Sequence, residues 1–165
     1  MPEVWKESTI VPIYKKGDET DCNNCRGISL LPNTNKILTN ILLSRLSPYT
    51  EEIIGDHQYG FRRNTSTTDL MFCIRQILKK NWECNEEVHQ LFIDFEKAYD
   101  SVRREVLYNN LIEHGIPRKL VRLIKVSLTE TYSRVRIGRM LSDRFPIRNG
   151  LKQGDALSPL LLTLL

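Results

Sequence analysis

An aspartate stands where an apolar run ends in charge: Leu91-Phe92-Ile93-Asp94-Phe95-Glu96-Lys97-Ala98-Tyr99-Asp100. Val88 to Phe95 is rich in β-formers and nearly continuous in apolar character, which predicts a strand covered on both faces. Alternation sets Gln90, Phe92 and Asp94 on one face and Leu91, Ile93 and Phe95 on the other. A carboxylate at the end of such a strand is costly unless a cation or several donors satisfy it. Two chemistries answer that need. Asp94 can hold a metal ion from a rigid platform, or it can cap the next helical turn with Lys97 or Ala98 donating to it.

Two further groups carry chemistry. In Gly150-Leu151-Lys152-Gln153-Gly154-Asp155-Ala156-Leu157-Ser158-Pro159, glycines bracket Gln153, so backbone can approach a ligand and the amide can both donate and accept. The same pattern is also that of an ordinary loop and helix start. Lys15-Lys16 and Arg26 lie on either side of a turn. A mobile ammonium beside a planar guanidinium suits a triphosphate, and equally a solvated basic face.

The elements that position these residues follow from periodicity. Thr9 to Tyr14 predicts a strand, with Pro12 confining it to an edge or a bulge. Lys15 to Asp18 make a basic turn, and Arg26 to Leu31 return as a second extended segment, giving a long-tipped hairpin. Asn33 opens a helix whose apolar stripe is Ile37, Leu38, Ile41, Leu42 and Leu46, ended by Pro48. After a loop from Gly55 to Asn64, Ser66 caps a second helix with Leu70, Met71, Ile74, Ile77 and Leu78 as its buried face. Arg103 to His114 and Pro117 to Leu128 are two more helices, with Gly115 as a C-cap and Pro117 in a first turn. Thr131 to Ile137 alternates as a half-buried strand, and a partner strand runs to about Ile147. Ser158-Pro159 begins or continues a last helix. Strands and helices mix without strict βαβ alternation, so the fold class is α+β.

Composition sets the outer bounds. A 165-residue chain with 41% hydrophobic and 27% charged residues is folded rather than disordered. A net charge of +4 is compatible with a polyanionic partner without requiring one. Of Cys22, Cys25, Cys73 and Cys84, only the first two have ligand spacing, and no second pair completes a zinc site; free thiols of a reducing compartment are the reading. No signal peptide and no apolar run of about 18 residues is present, so an intracellular place, cytoplasmic or nuclear, and no membrane are expected. The apolar Leu160 to Leu165 stretch has no cap or polar tail, which reads as a fragment.

Taken together, four segments in order resemble reverse transcriptases of non-LTR retrotransposons: STIVPIYKKGD with NNCRGISLLPNTNKIL, HQYGFRRNTSTTDL, FIDFEKAYDSV, and GLKQGDALSP. The resemblance implies a right-hand polymerase, here fingers plus partial palm, with an incomplete antiparallel palm sheet packed on helices. About 1–85 would be fingers and first palm helices, and about 86–165 palm with inserted fingers elements. It implies an RNA-directed DNA polymerase using two Mg2+ ions, with Mn2+ as the alternative, an RNA template, a DNA primer and deoxynucleoside triphosphates. Asp94 and the Phe95 carbonyl would contact metal. Lys15 and Arg26, with Lys16 nearby, would hold the β- and γ-phosphates, and amides near Lys97 and Ala98 would approach the triphosphate. Tyr99 would exclude a 2′-hydroxyl, Gln153 and Gly154 would line the nucleotide pocket, and Asp100 would be a cap. The family's x-Asp-Asp hairpin has no counterpart among these residues, and neither thumb nor endonuclease domain is recognisable. The expected activity therefore belongs to a longer parent, with this stretch inactive alone. A remnant that only binds nucleic acid, or does nothing, is the alternative; a maturase or RNA-copying polymerase fits less well because of Tyr99.

Overall fold

The computed structural model describes residues 1–62 and 64–165; Arg63, in the HQYGFRR loop, lies outside the described residues. In chain order the elements are α1 (Glu3–Lys6), β1 (Glu7–Tyr14), β2 (Cys25–Leu30), α2 (Asn33–Ile53), α3 (Thr67–Glu83) and α4 (Ala98–Ser101). They continue with α5 (Arg104–Glu113), α6 (Arg118–Leu128), β3 (Thr131–Ile137), β4 (Met140–Leu141), β5 (Phe145–Ile147) and α7 (Ser158–Thr163). The chain divides into two units, one of Met1–Ile53 with Lys97–Leu165 and the other of Ile54–Glu96.

In the first unit, β1 and β2 form the expected hairpin, antiparallel from Thr9 opposite Leu30 to Tyr14 opposite Cys25. The other side of β1 meets β3 in parallel, from Glu7 opposite Tyr132 to Ile10 opposite Val135. The sheet is therefore mixed, with order β2-β1-β3 and both β4 and β5 antiparallel on the far side of β3. An antiparallel sheet was expected; the long helical connection between β1 and β3 returns the chain in the parallel sense. Pro12 lies past Ile10, where β1 has a neighbour on one side only, as its missing donor requires. At the β1–β3 seam the Ser8 and Ser133 hydroxyls are hydrogen-bonded at 2.8 Å, both buried, and Arg134 pairs with Glu7 at 2.8 Å.

Helix α6 carries its apolar residues at helical spacing, and Leu120, Val121, Ile124 and Leu128 are all buried. It packs against both α2 and α5, whose Leu42, Leu46, Leu107 and Leu111 complete the core with Leu151, Leu157 and Leu161. The buried stripe of α2 is rotated from the expected one. Asn35, Thr39, Leu42, Leu46 and Thr50 face inward, while Ile37 and Ile41 are exposed. Asn35 earns that place by donating to the Trp5 carbonyl at 2.9 Å. Pro48 does not end α2, which runs on to Ile53. Leu46 and Thr50 are buried on either side of Pro48, and that packing outweighs the one backbone bond proline forfeits.

In the second unit, α3 begins as predicted. The Ser66 hydroxyl accepts from the Asp69 amide at 3.2 Å, and the Asp69 carboxylate accepts from the Ser66 amide at 2.9 Å, a reciprocal capping box. Its expected buried face is not buried: Leu70, Met71, Ile77 and Leu78 are exposed, and none of the described residues of this unit is buried. The expected strand from Val88 to Phe95 is absent as well. Those residues have no regular structure, and Leu91 and Phe92 are 84% and 82% exposed. A strand apolar on both faces needs paired neighbours and two covering layers, and among the described residues nothing pairs with it. Asp94 thus stands on irregular, exposed backbone instead of a rigid strand end.

Candidate functional site

The loop from Gly150 to Gly154 is clamped on two sides. On one side, the Gly150 amide donates to the Val102 carbonyl at 2.9 Å and the Leu151 amide to the Tyr99 carbonyl at 2.8 Å. On the other, the Gln153 carbonyl accepts from the Ser29 amide of β2 at 2.7 Å. Both glycines are required here. Gly150 has φ +78°, and a Cβ there would lie 3.1 Å from the Tyr99 carbonyl oxygen; Gly154 has φ +111°, and its Cβ would lie 2.8 Å from the Ser29 carbonyl oxygen. The loop thereby ties Tyr99 of α4 to β2, three residues along from Arg26.

Tyr99 is half-buried, and desolvation raises its phenol above the ordinary tyrosine range, with the nearby Arg26 guanidinium pulling the other way. Arg26 is exposed on β2 opposite Ile13. Lys15 follows β1, its amide donating to the Asn24 carbonyl at 2.9 Å. Lys97 is the N-cap of α4 in the left-handed region, φ 49°, with no side-chain capping bond. Its ammonium donates to the Asn23 side-chain carbonyl at 2.8 Å, joining the basic loop to the start of α4. Lys15, Arg26, Lys97, Ala98, Tyr99, Gln153 and Gly154 all belong to the first unit; Asp94 and Phe95 belong to the second. Asp94 is exposed and accepts no hydrogen bond among the described residues.

Beneath the loop lie three charged side chains that sequence reading passed over. Arg104 opens α5 and is buried, and burial pulls its guanidinium below the usual arginine range. Lys152 is buried on the loop itself and Asp155 immediately after it. The Lys152 ammonium has no hydrogen-bond partner. Burial lowers it to about 8, with Asp155 opposing that shift and Arg104 adding to it. Burial raises the Asp155 carboxyl, offset by the Thr39 hydroxyl, the Leu157 and Ala156 amides and the Lys152 charge. Asp155 had a signal: an aspartate two residues before the amide it accepts from (Leu157, 3.5 Å) is an Asx-type turn ahead of a helix. Lys152 had none, because a lysine between a leucine and a glutamine reads as surface.

Between about pH 8 and 10.5 the unfolded chain binds a proton at Lys152 that the folded chain has released. Stability should therefore rise with pH across that window, by at most roughly 3 kcal/mol. Asp155 acts elsewhere: its raised carboxyl stabilises the fold at acid pH and loses that contribution as pH rises through the folded value. Lys152→Met should abolish the alkaline rise. Urea unfolding of both proteins at pH 7.5 and 10 checks this; parallel pH responses would refute it.

The reverse transcriptase (RNA-dependent DNA polymerase) family matches residues 13–165. The chain belongs to that family. Among relatives, the probable RNA-directed DNA polymerase from transposon BS of Drosophila melanogaster is 29% identical over 164 residues, which are 98% of this chain and 18% of that protein. The RNA-directed DNA polymerase from mobile element jockey of the same species is 30% identical over 165 residues, again 98% of this chain and 18% of that protein. The Pol polyprotein from retrotransposable element R2 of Popillia japonica is 28% identical, with 98% and 22% covered. The chain thus spans about a fifth of the length of these relatives. Among the described residues no helix is long and apolar enough to cross a membrane.

The family uses divalent metal ions, and the donors present fit part of that need. Among the described residues no three His, Cys, Asp or Glu side chains gather as a metal cage. Magnesium asks for less, one or two carboxylates with waters and substrate phosphates completing its shell. An exposed Asp94 carboxylate with unfilled acceptor capacity suits that share.

Proposed function

We propose that this chain is the nucleotide-binding fingers and partial palm of a retroelement RNA-directed DNA polymerase, acting on an RNA template and a DNA primer with deoxynucleoside triphosphates. The observation that carries the reading is the two-sided clamp of the Gly150–Gly154 loop, which ties the Tyr99 and Gln153 backbones to β2 beside Arg26. A triphosphate carries several negative charges, and the Arg26 fork and the Lys15 ammonium neutralise its β- and γ-phosphates. The amides of Lys97 and Ala98, at the left-handed entry to α4, would approach the same phosphates. Tyr99, a neutral phenol at pH 7, packs against the sugar and leaves no room for a 2′-hydroxyl. Gln153 and Gly154 line the base and template side.

Asp94 and the Phe95 carbonyl would hold magnesium, or manganese, which when bound would supply neutralisation of charge at the transferring phosphoryl group. The chain holds one such aspartate and no Asp-Asp pair. Its remaining carboxylates come from elsewhere in the longer polymerase, and this stretch alone does not extend a primer.

Titration of the chain with Mg-dATP tests the nucleotide site. Arg26→Ala should weaken binding by roughly 10- to 100-fold, the worth of one or two charge-assisted hydrogen bonds. Equal affinity in the variant, or no binding by the unaltered chain, would overturn the assignment.

A further inference from the structure

The buried Arg104 guanidinium meets no carboxylate among the described residues; its acceptors are all backbone carbonyls. Its Nε donates to the Gly150 carbonyl at 3.0 Å, and its terminal nitrogens donate to Leu128, to Ile147 at 3.3 Å and to Asn149 at 3.4 Å. Those carbonyls end α6, end β5 and open the clamped loop. A planar fork with five fixed donors can serve them together, whereas an ammonium has three donors on a flexible stem. A fixed buried charge with four carbonyls aimed at it is an expensive way to fill core volume, and methionine would fill it more cheaply.

We infer that Arg104 is a positioning residue for the nucleotide site, fixing where the Gly150–Gly154 loop leaves the core and so the spacing between Tyr99 and Gln153. The inference rests on the proposed nucleotide site. From Arg104 the coupling runs through the Gly150 carbonyl into the loop. The loop's next amide, that of Leu151, binds the Tyr99 carbonyl, and its Gln153 carbonyl binds the Ser29 amide. A shift of the loop start therefore moves both walls of the pocket without any contact between Arg104 and the nucleotide.

The test compares the chain with Arg104→Lys and with Ile124→Ala, a core truncation in α6 at a residue that has no hydrogen bond to the loop among the described residues. Affinity for Mg-dATP and Mg-ATP is measured at a temperature where all three are folded by circular dichroism. Arg104→Lys should weaken dATP binding about tenfold and narrow the preference for dATP over ATP, while Ile124→Ala should stay within about twofold. Equal losses in the two variants, or none in Arg104→Lys, would overturn the inference. If the unaltered chain binds neither nucleotide, the proposed function fails separately. Hydrogen exchange then decides the positioning role: amides of Gly150, Leu151 and Ser29 should lose protection in Arg104→Lys and keep it in Ile124→Ala, and unchanged protection would refute it. Should Arg104→Lys not fold, Gly150→Ala displaces the same carbonyl and should give the same tenfold loss; unchanged binding there counts against the inference.

Discussion

On the proposed metal role, Asp94→Asn is expected to lower DNA synthesis on an RNA template by roughly a thousandfold or more when tested in a full-length polymerase that includes this chain. Asparagine has nearly the shape of aspartate and keeps one oxygen, but it lacks the charge that draws a hard divalent cation. Metal ligands act as a unit, so losing one forfeits much of what the others contribute. Asp94 is exposed and unbonded among the described residues, so the substitution should leave the thermal midpoint where it was. Primer extension with Mg2+, alongside a melting curve, separates the two effects. Near-normal synthesis by Asp94→Asn would remove this residue from the chemistry.

Gly154→Ala should be the most damaging of the conservative changes in the clamped loop. The new Cβ would lie 2.8 Å from the Ser29 carbonyl oxygen and 3.3 Å from an Ile28 methyl, at a φ of +111° that side chains rarely adopt. Backbone cannot swing aside as a side chain can. The loop must therefore lift from β2 and break the bond between the Gln153 carbonyl and the Ser29 amide. Left-handed strain and the lost bond amount to about 3 kcal/mol against the docked loop. Nucleotide affinity should then fall on the order of 100-fold. A protected Ser29 amide in Gly154→Ala, with affinity unchanged, would show that the clamp does not shape the pocket.

What local pattern determines was legible in the sequence. The β1–β2 hairpin, the Ser66 N-cap, α5, α6 and the start of β3 follow from alternation, helical spacing and caps, each decided by residues close in the chain. The misreadings all involve partners. Val88 to Phe95 has a strand's composition, yet composition cannot supply the neighbours a strand needs. The buried stripe of α2 is partly polar, with Asn35, Thr39 and Thr50 beside Leu42 and Leu46, and Asn35 finds its partner in the Trp5 carbonyl, a contact spanning 30 residues. Pro48 breaks an isolated helix but not one held on both sides by Leu46 and Thr50. At the site, motif residues could be named from spacing, whereas Arg104 and Lys152 gain their meaning only from carbonyls and charges folded around them.

The parallel seam has a consequence for how the chain is made. Ser8 on β1 meets Ser133 on β3, 125 residues later. At 5 to 20 residues per second, β1 is synthesised roughly 6 to 25 seconds before β3. During that interval one side of β1 is an unpaired edge, open to any extended segment, including a nascent copy of itself. Loop closure over such a span also makes the seam a late step in folding. Yield in the cell should therefore depend on holdase chaperones and on translation speed through the helices, more than on the final stability of the sheet.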